Sequence, residues 1–487
     1  MIVYPAAFVA SAVHPLTHAR IAWHDLAREL ALDGNDVTVS SETVAGPRDA
    51  PLRPDTAEFW QAAGLPATWD LDLGSLQSID YVGLAGHTIG SSGATVSCKV
   101  STDGDFAAHA LLPGTTSNYV KTPDAAALDI TGDIDLRARA ALTDWTPAVD
   151  NTLIAKRQAT GQVSWEFRVD ATTGNLSFAW SADGTAVSVM TSDAAVGASD
   201  GTALWVRVTF DVDDGAGNKS ARFYTSTDGV TWNQIGTTQT TAGTTSLFSS
   251  TSELSLGAIE AGATAPLNGK LYYAEVRSGI GGSVVAEFDP ENDATHGATS
   301  FVSGGGETWT VNQSGSPAAA IVHHRLGGEV MPGDDAPILF LDTARSAQYV
   351  RIGLTGSTVP RIAVIRAGVA LAMTRPIYAG VTPILFQRRT VKKASVSRGG
   401  QFLGQSIRRH GITGSVSFRH LQAAWMRTTF DQFVRSARSY PYFIAWRPQT
   451  FPNEVGYVWT EDDIRPDNMG TRDLMQVSWS YEGIGHD

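Results

Sequence analysis

The chain has 487 residues, too many for one hydrophobic core and suited to about three domains. Charged residues are only 17 %, with 48 glycines and a middle crowded with Thr and Ser, which favours short strands and tight turns over long helices. The single cysteine, Cys98, excludes an intrachain disulfide framework, and no apolar run reaches the ~18 residues that a membrane span needs.

The net charge of −13 is unevenly spread. Residues 113–317 hold 11 Lys and Arg against 23 Asp and Glu, whereas 374–487 hold 15 against 9. Such asymmetry predicts segments that face different surroundings. The basic end carries no glycine-rich phosphate loop and no zinc-finger spacing. Its Arg residues sit among apolar strand residues, so it reads as a protein-docking surface and not as a nucleic-acid site.

The opening "MIVYPAAFVASAV" is apolar but has no Lys or Arg before Arg20. It lacks the basic start of a secretory signal and reads as folded structure, so the chain is expected to leave its cell, if at all, by another route. His14, His18 and His24 lie four and six residues apart, and His323 adjoins His324. Without Cys or carboxylates at fixed spacing, they assign no metal site. Trp60 and Trp69 are expected to pack inward.

"TWDLDLGSLQSIDYVGLAG" (Thr68–Gly86) and "ATVSCKVSTDG" (Ala94–Gly104) read as strands. So does "ILFLDTARSAQYVRIGLTG" (Ile338–Gly356), taken as two strands with a short polar break. Between them, "SWEFRVD" alternates Trp165, Phe167 and Val169 with Glu166, Arg168 and Asp170. "LSFAWSADG" and "LWVRVTFDVDDGAGN" do the same, the latter with Leu204, Val206, Val208 and Phe210 on one face. Period-2 alternation with turns every eight to twelve residues marks an antiparallel sandwich over 113–317.

Beyond Thr374 the strands continue. In "LQAAWMRTTFDQFVRSARSY", Leu421, Trp425, Phe430, Phe433 and Val434 share a helical face, predicting one helix at about 421–437.

Three resemblances follow. "SNYVKTPDAAALDITGDIDLRARA" and "LNGKLYYAEVRSGIGGSVVAEFDP" through "ETWTVN" resemble concanavalin-like jelly rolls of the laminin-G type. "WDLDLGSLQSIDYVGLAG", "ATVSCKVSTDG" and "LFLDTARSAQYVRIGL" resemble a discoidin-type, galactose-binding-like sandwich. The expected fold class is therefore mostly β. It comprises a galactose-binding-like sandwich (1–112 and 318–373) split at the Ser101–Gly104 turn by a jelly roll (113–317), then a C-terminal β-sheet domain (374–487). Insertion at a loop tip is cheap, since each doubling of loop length costs only about 0.6 kcal/mol.

"FIAWRP" and "VSWSYEG" near the C-terminus, with "HPLTHARIAWHDL" near the start, resemble tail-tip proteins of long-tailed bacteriophages. That resemblance implies a structural virion component at the distal end of the tail. It would form a hexameric ring or a trimer, dock on other tail proteins through 374–487, and present its lectin-like domains to host polysaccharide. The alternative is a free-standing secreted or surface glycan-binding, or glycan-degrading, protein.

No catalytic constellation stands out. Glu166 is followed at i+2 by Arg168 and Glu275 by Arg277, so neither strand offers the carboxylate pair of the glucanase branch. "GQSIRRHG" lacks the second glycine of a nucleophile elbow. Cofactors are not expected. The nearest divalent-ion candidate is "DVDDGAGN" with Asp211, Asp213 and Asp214, a loose calcium-loop likeness without its terminal Glu, and a solvated turn reads better. For sugar binding the candidates are Trp145, Trp180 and Trp232 with Asp183 and Asp228. Alternation assigns Trp165 and Trp180 to the core. Trp232, after a turn, and Trp145, in a Thr-Asp-Trp-Thr-Pro loop, are the ones expected at the surface.

Overall fold

A computed structural model describes residues 2–3, 16–159, 161–378, 380–470 and 473–485. His14 and most of the apolar opening lie outside the described residues. The chain is mostly β, built from antiparallel sheets with one helical run longer than two turns, Ala423–Ala437, among the described residues. Two compact units form: residues 107–324, and residues 1–106 together with 325–487.

The unit 107–324 contains two eight-stranded sheets around one core. One face of "SWEFRVD" enters that core as alternation requires: Trp165, Phe167 and Val169 are fully buried. The second sheet includes His109–Pro113, paired with Asn268–Ser278 and with Ala320–Val322. A jelly-roll boundary drawn at 113 and 317 cuts these strands off, because Ala110, Leu112 and Ile321 are buried in its core.

The other unit holds two sheets. The first is built on two long strands, Ala67–His87 and Ile338–Thr355, joined at their edges by Thr95–Ser101 and Ile362–Gly368. The polar stretch after Leu341 is not a break between strands. Pairing resumes at Arg345↔Ile79 through a register shift, and a second shift follows at Ala347/Tyr349. Bulges of this kind bend and twist a strand without ending it. The exit toward 107 and the return at 325 lie side by side: Leu326 N donates to Cys98 O (2.9 Å) and Val330 N to Val96 O (2.9 Å).

The C-terminal sheet runs Leu371–Ala372, Arg20–Ala22, Tyr442–Ala445, Val455–Trp459, Leu474–Ile484, Phe402–Gln422 and Arg388–Val396. Two of its strands precede 374, so that boundary needs correction: Ile21 and Leu371 belong to the same core as Phe418, Phe433 and Tyr442. The helix starts at Ala423, with Leu421 still in strand. Its Met426–Phe430 stretch is a π-turn, which brings Trp425 and Phe430, five apart, into ring contact at 5.8 Å. A further apolar layer, including Tyr81, Leu339, Val364, Phe443 and Tyr457, lies between the two sheets of this unit.

Candidate functional site

Four of the five sugar-site candidates read from the sequence take other jobs. Trp145 is buried, not exposed. Its indole N–H donates to Thr202 O (3.1 Å) and its amide to the Asp200 carboxylate (2.9 Å), which folds the loop inward. Trp180 packs on Phe178 and Phe210, with centroids 6.1 and 4.6 Å away. Asp183 closes a turn by accepting from the amides of Thr185 and Ala186 (2.8 Å each), which hold its carboxyl well below the usual range. Asp228 does the same for Thr231 and Val230. The Asp211, Asp213 and Asp214 carboxylates likewise accept from amides of their own loop. Among the described residues no group of three His, Cys, Asp or Glu is placed to hold a metal ion.

Trp232 is different. It is half-buried at the end of the Asp228 turn, beside the outward face of the sheet that contains Ile134–Leu142, Leu204–Asp211, Asn218–Ser226 and Asn268–Ser278. One row across that face reads Tyr224, Arg207, Arg137, Glu275, Glu287, each opposite the next on adjacent strands. The next row reads Trp205, Arg139, Tyr273. The guanidinium carbons of Arg137 and Arg207 stand 5.5 and 5.4 Å from the Trp232 ring centroid, within cation–π range. Trp205 meets Trp232 edge-on at 6.4 Å and Tyr273 at 5.2 Å. The glycine after Asp228 is required here: a Cβ on Gly229 would lie 2.8 Å from the Trp205 ring, and its φ is +73°.

Ion pairs tie the charged side chains of this surface together. Arg137 and Arg207 face each other directly, a repulsive pairing by itself. Asp135, with a fully buried side chain, neutralises both. It takes two bonds from Arg207 (2.8 and 2.7 Å) and two from Arg137 (3.3 and 3.1 Å). Burial pushes its carboxyl up, yet the two guanidiniums outweigh that and leave it below the ordinary carboxylate value. Glu275 is held by Arg277 (2.7 Å) and Arg137 (3.3 Å). The Tyr273 hydroxyl lies between the Glu275 and Glu287 carboxylates and shares its one proton with them; burial first, then these contacts, push it up, so it stays a proton donor. Arg139 stacks on Tyr272 at 4.7 Å and has no carboxylate partner among the described residues.

The result is an ion-paired surface of half-exposed aromatic rings alternating with hydrogen-bond donors. Sequence alternation had the means to find Trp205: Leu204, Val206, Val208 and Phe210 point inward, so Trp205 and Arg207 must point out. The Glu275–Glu287 pair joins two strands and is invisible to a search along one.

No protein-family model matches the chain, and no curated protein does. Solved structures give low-scoring likenesses. The CBM40 module of a Ruminococcus gnavus IT-sialidase, bound to α2,3-sialyllactose, is 11 % identical over 34 % of this chain and 90 % of its own, with a TM-score of 0.26. Domains LG4-5 of the mouse laminin α1 chain are 10 % identical over 57 % of this chain and 93 % of theirs (TM-score 0.26). The ligand-binding domain of botulinum neurotoxin serotype D, in complex with N-acetylneuraminic acid, is 5 % identical over 80 % and 91 % (TM-score 0.20). No residue of this chain is assigned through them.

Proposed function

We propose that this chain is a non-enzymatic glycan-binding protein that works as a component of a bacteriophage tail tip. The unit 107–324 presents the Trp205–Trp232 surface to saccharide, and the C-terminal sheet docks on other tail proteins. The observation that carries the glycan reading is the aromatic and guanidinium face itself. Trp205, Trp232 and Tyr273 offer apolar ring surface for the C–H face of a sugar. Arg139 and its neighbours offer fixed donors for hydroxyl or carboxylate oxygens. The carboxylates of this face are ion-paired or bound to the Tyr273 hydroxyl, which supports recognition over hydrolysis.

Support for the tail role comes from the "FIAWRP" and "VSWSYEG" motifs and the basic C-terminal segment. The free-standing lectin stays as a second reading because the aromatic surface is complete within 107–324 and needs no assembly. The test is binding of the full chain to host polysaccharide and a panel of glycans, followed by titration of each hit. Trp232→Ala and Trp205→Ala are expected to weaken binding tenfold or more, about 1.4 kcal/mol. Undiminished binding by the double variant, or no binding by the wild type, sinks the glycan reading. Copurification with tail proteins separates the tail role from the free lectin.

A further inference from the structure

Strands Arg388–Val396 and Phe402–Gln422 form the edge of the C-terminal sheet, and the ribbon outruns that sheet. Arg388 pairs with Ile412 and Val396 with Phe402, whereas the next strand, Leu474–Ile484, begins its pairing only at Ile412. From 388 to 411 the chain is therefore a two-stranded ribbon. Nine residues at ~3.3 Å each carry its tip ~30 Å from its base.

Isolated ribbons of this kind are marginal in water. This one also exposes large apolar side chains: Val396 at 57 %, Phe402 and Leu403 at 66 % each, Ile407 at 50 %. It carries seven Lys and Arg and no Asp or Glu, in a chain of net charge −13. A long, cationic, partly apolar arm, tied at its base by the Arg389–Glu482 ion pair and exposed toward its tip, is built to be covered.

The same sheet holds a surface of opposite sign. A cleft of about 300 Å³ lies along Ser478–Glu482 and is rimmed by Glu461, Asp462 and Asp463. Asp463 is shared by Arg438 (3.5 Å) and Arg465 (3.9 Å). Glu461 and Asp462 are exposed and have no ion-pair partner among the described residues. The cleft includes Thr413, next to the arm's base, so the arm's own tip is carried away from it.

We propose that the arm of one copy docks in the acidic cleft of a second copy of this chain. Each copy then donates one arm and accepts one. The contact is head-to-tail and generates a ring where the rotation closes and a filament where it does not. The inference rests on the docking role proposed for the C-terminal sheet, but its test does not read glycan binding.

The test is sedimentation of the full chain over a range of concentration and salt, with two charge reversals on exposed residues. One is Lys392→Glu with Lys393→Glu in the arm, and the other is Glu461→Lys with Asp462→Lys in the cleft. Wild type is expected to associate, and to dissociate as salt screens the contact. Each reversal alone is expected to sediment as monomer with unchanged circular dichroism. An equimolar mixture of the two is expected to associate again, since acidic arm meets basic cleft and basic arm meets acidic cleft. A wild type that stays monomeric overturns the proposal. So does association that survives the arm reversal, or a mixture that fails to reassemble. Binding of the arm to anionic vesicles or to DNA, without self-association, also overturns it and identifies another occupant. Glycan binding measured on the same reversals is expected to match wild type, so a failure here is distinguishable from a failure of the aromatic surface.

Discussion

Trp145 and Trp232 belong to one unit and have opposite surroundings, so the same truncation tells their roles apart. Trp145 is 2 % exposed and hydrogen-bonded at its indole. Trp145→Ala is expected to cost about 3–5 kcal/mol and to lower the melting temperature of the unit markedly. Trp232 is half-buried, so Trp232→Ala is expected to cost ~1 kcal/mol or less while weakening saccharide binding. Calorimetric melts of the two variants check the contrast, and equal melting temperatures contradict it. A second residue-scale effect concerns pH. His87 is 1 % exposed; Nε2–H donates to Ala336 O (2.8 Å), and Nδ1 faces the Ile89 amide (3.4 Å), so the neutral ring is the one accommodated. Burial pushes it from 6.5 down to about 4. Its stabilisation is complete above pH 6.5 and is lost as pH falls toward 4, by roughly 3 kcal/mol. Asp80 works the other way: burial, against a bond from the Ala370 amide, raises it from 3.8 to about 6. Its contribution is complete below 3.8 and is lost as pH rises through 6. The two slopes oppose each other between pH 4 and 6. Asp80→Asn is therefore expected to uncover an acid-induced loss that wild type masks. Denaturant midpoints against pH measure it, and a profile as flat as wild type refutes the balance.

At the scale of elements, a close approach occurs where two sheets of the unit 1–106 with 325–487 meet. A Cβ on Gly83, in Ala67–His87, would lie 2.6 Å from the ring of Phe443, in Tyr442–Ala445. Gly83→Val is expected to destabilise by about 1–3 kcal/mol, and the double change with Phe443→Ala to cost less than the sum of the two single losses, because the two changes share one space. Additive losses in urea unfolding count against this packing. No local pattern announced the contact, and the limit is general. Alternation reads one strand against water, so Trp165, Phe167 and Val169 were legible as core, and Trp205 as the outward counterpart of Leu204 and Val206 on its own strand. It does not read what a distant segment does. The polar residues after Leu341 looked like a loop, yet Arg345, Ser346 and Ala347 find partners in Ile79, Ser78 and Gln77. Arg20–Ala22 is too short to show any period, and only the sheet it joins reveals it. Trp145 looked exposed because its covering groups, Asp200 and Thr202, lie far along the chain.

At the scale of the whole chain, the split unit closes on itself without the segment it surrounds. Strand Thr95–Ser101 pairs along Ile338–Thr355, and the returning residues Leu326 and Val330 bond back to Cys98 and Val96. The core of this unit takes Leu326, Ile338, Val350 and Ile352 from the second part of the chain, and Trp69, Leu84 and Cys98 from the first. The exit and return points are therefore held by contacts on the same side of the insertion. A connector needs only to bridge a gap already fixed at strand spacing. The entropy of closing a loop grows slowly with its length, so a short flexible bridge costs no more than the present long one. Replacing 107–324 with a few Gly and Ser residues is thus expected to leave a folded protein that melts cooperatively and keeps the Cys98 thiol unreactive, since that side chain is buried and pushed far up in pKa by its surroundings. Thiol labelling of the shortened chain under native conditions reads this directly. Slow labelling with a sharp melt means that the surrounding unit folds from its two halves alone. Rapid labelling means that the inserted sandwich has to form before the halves can meet.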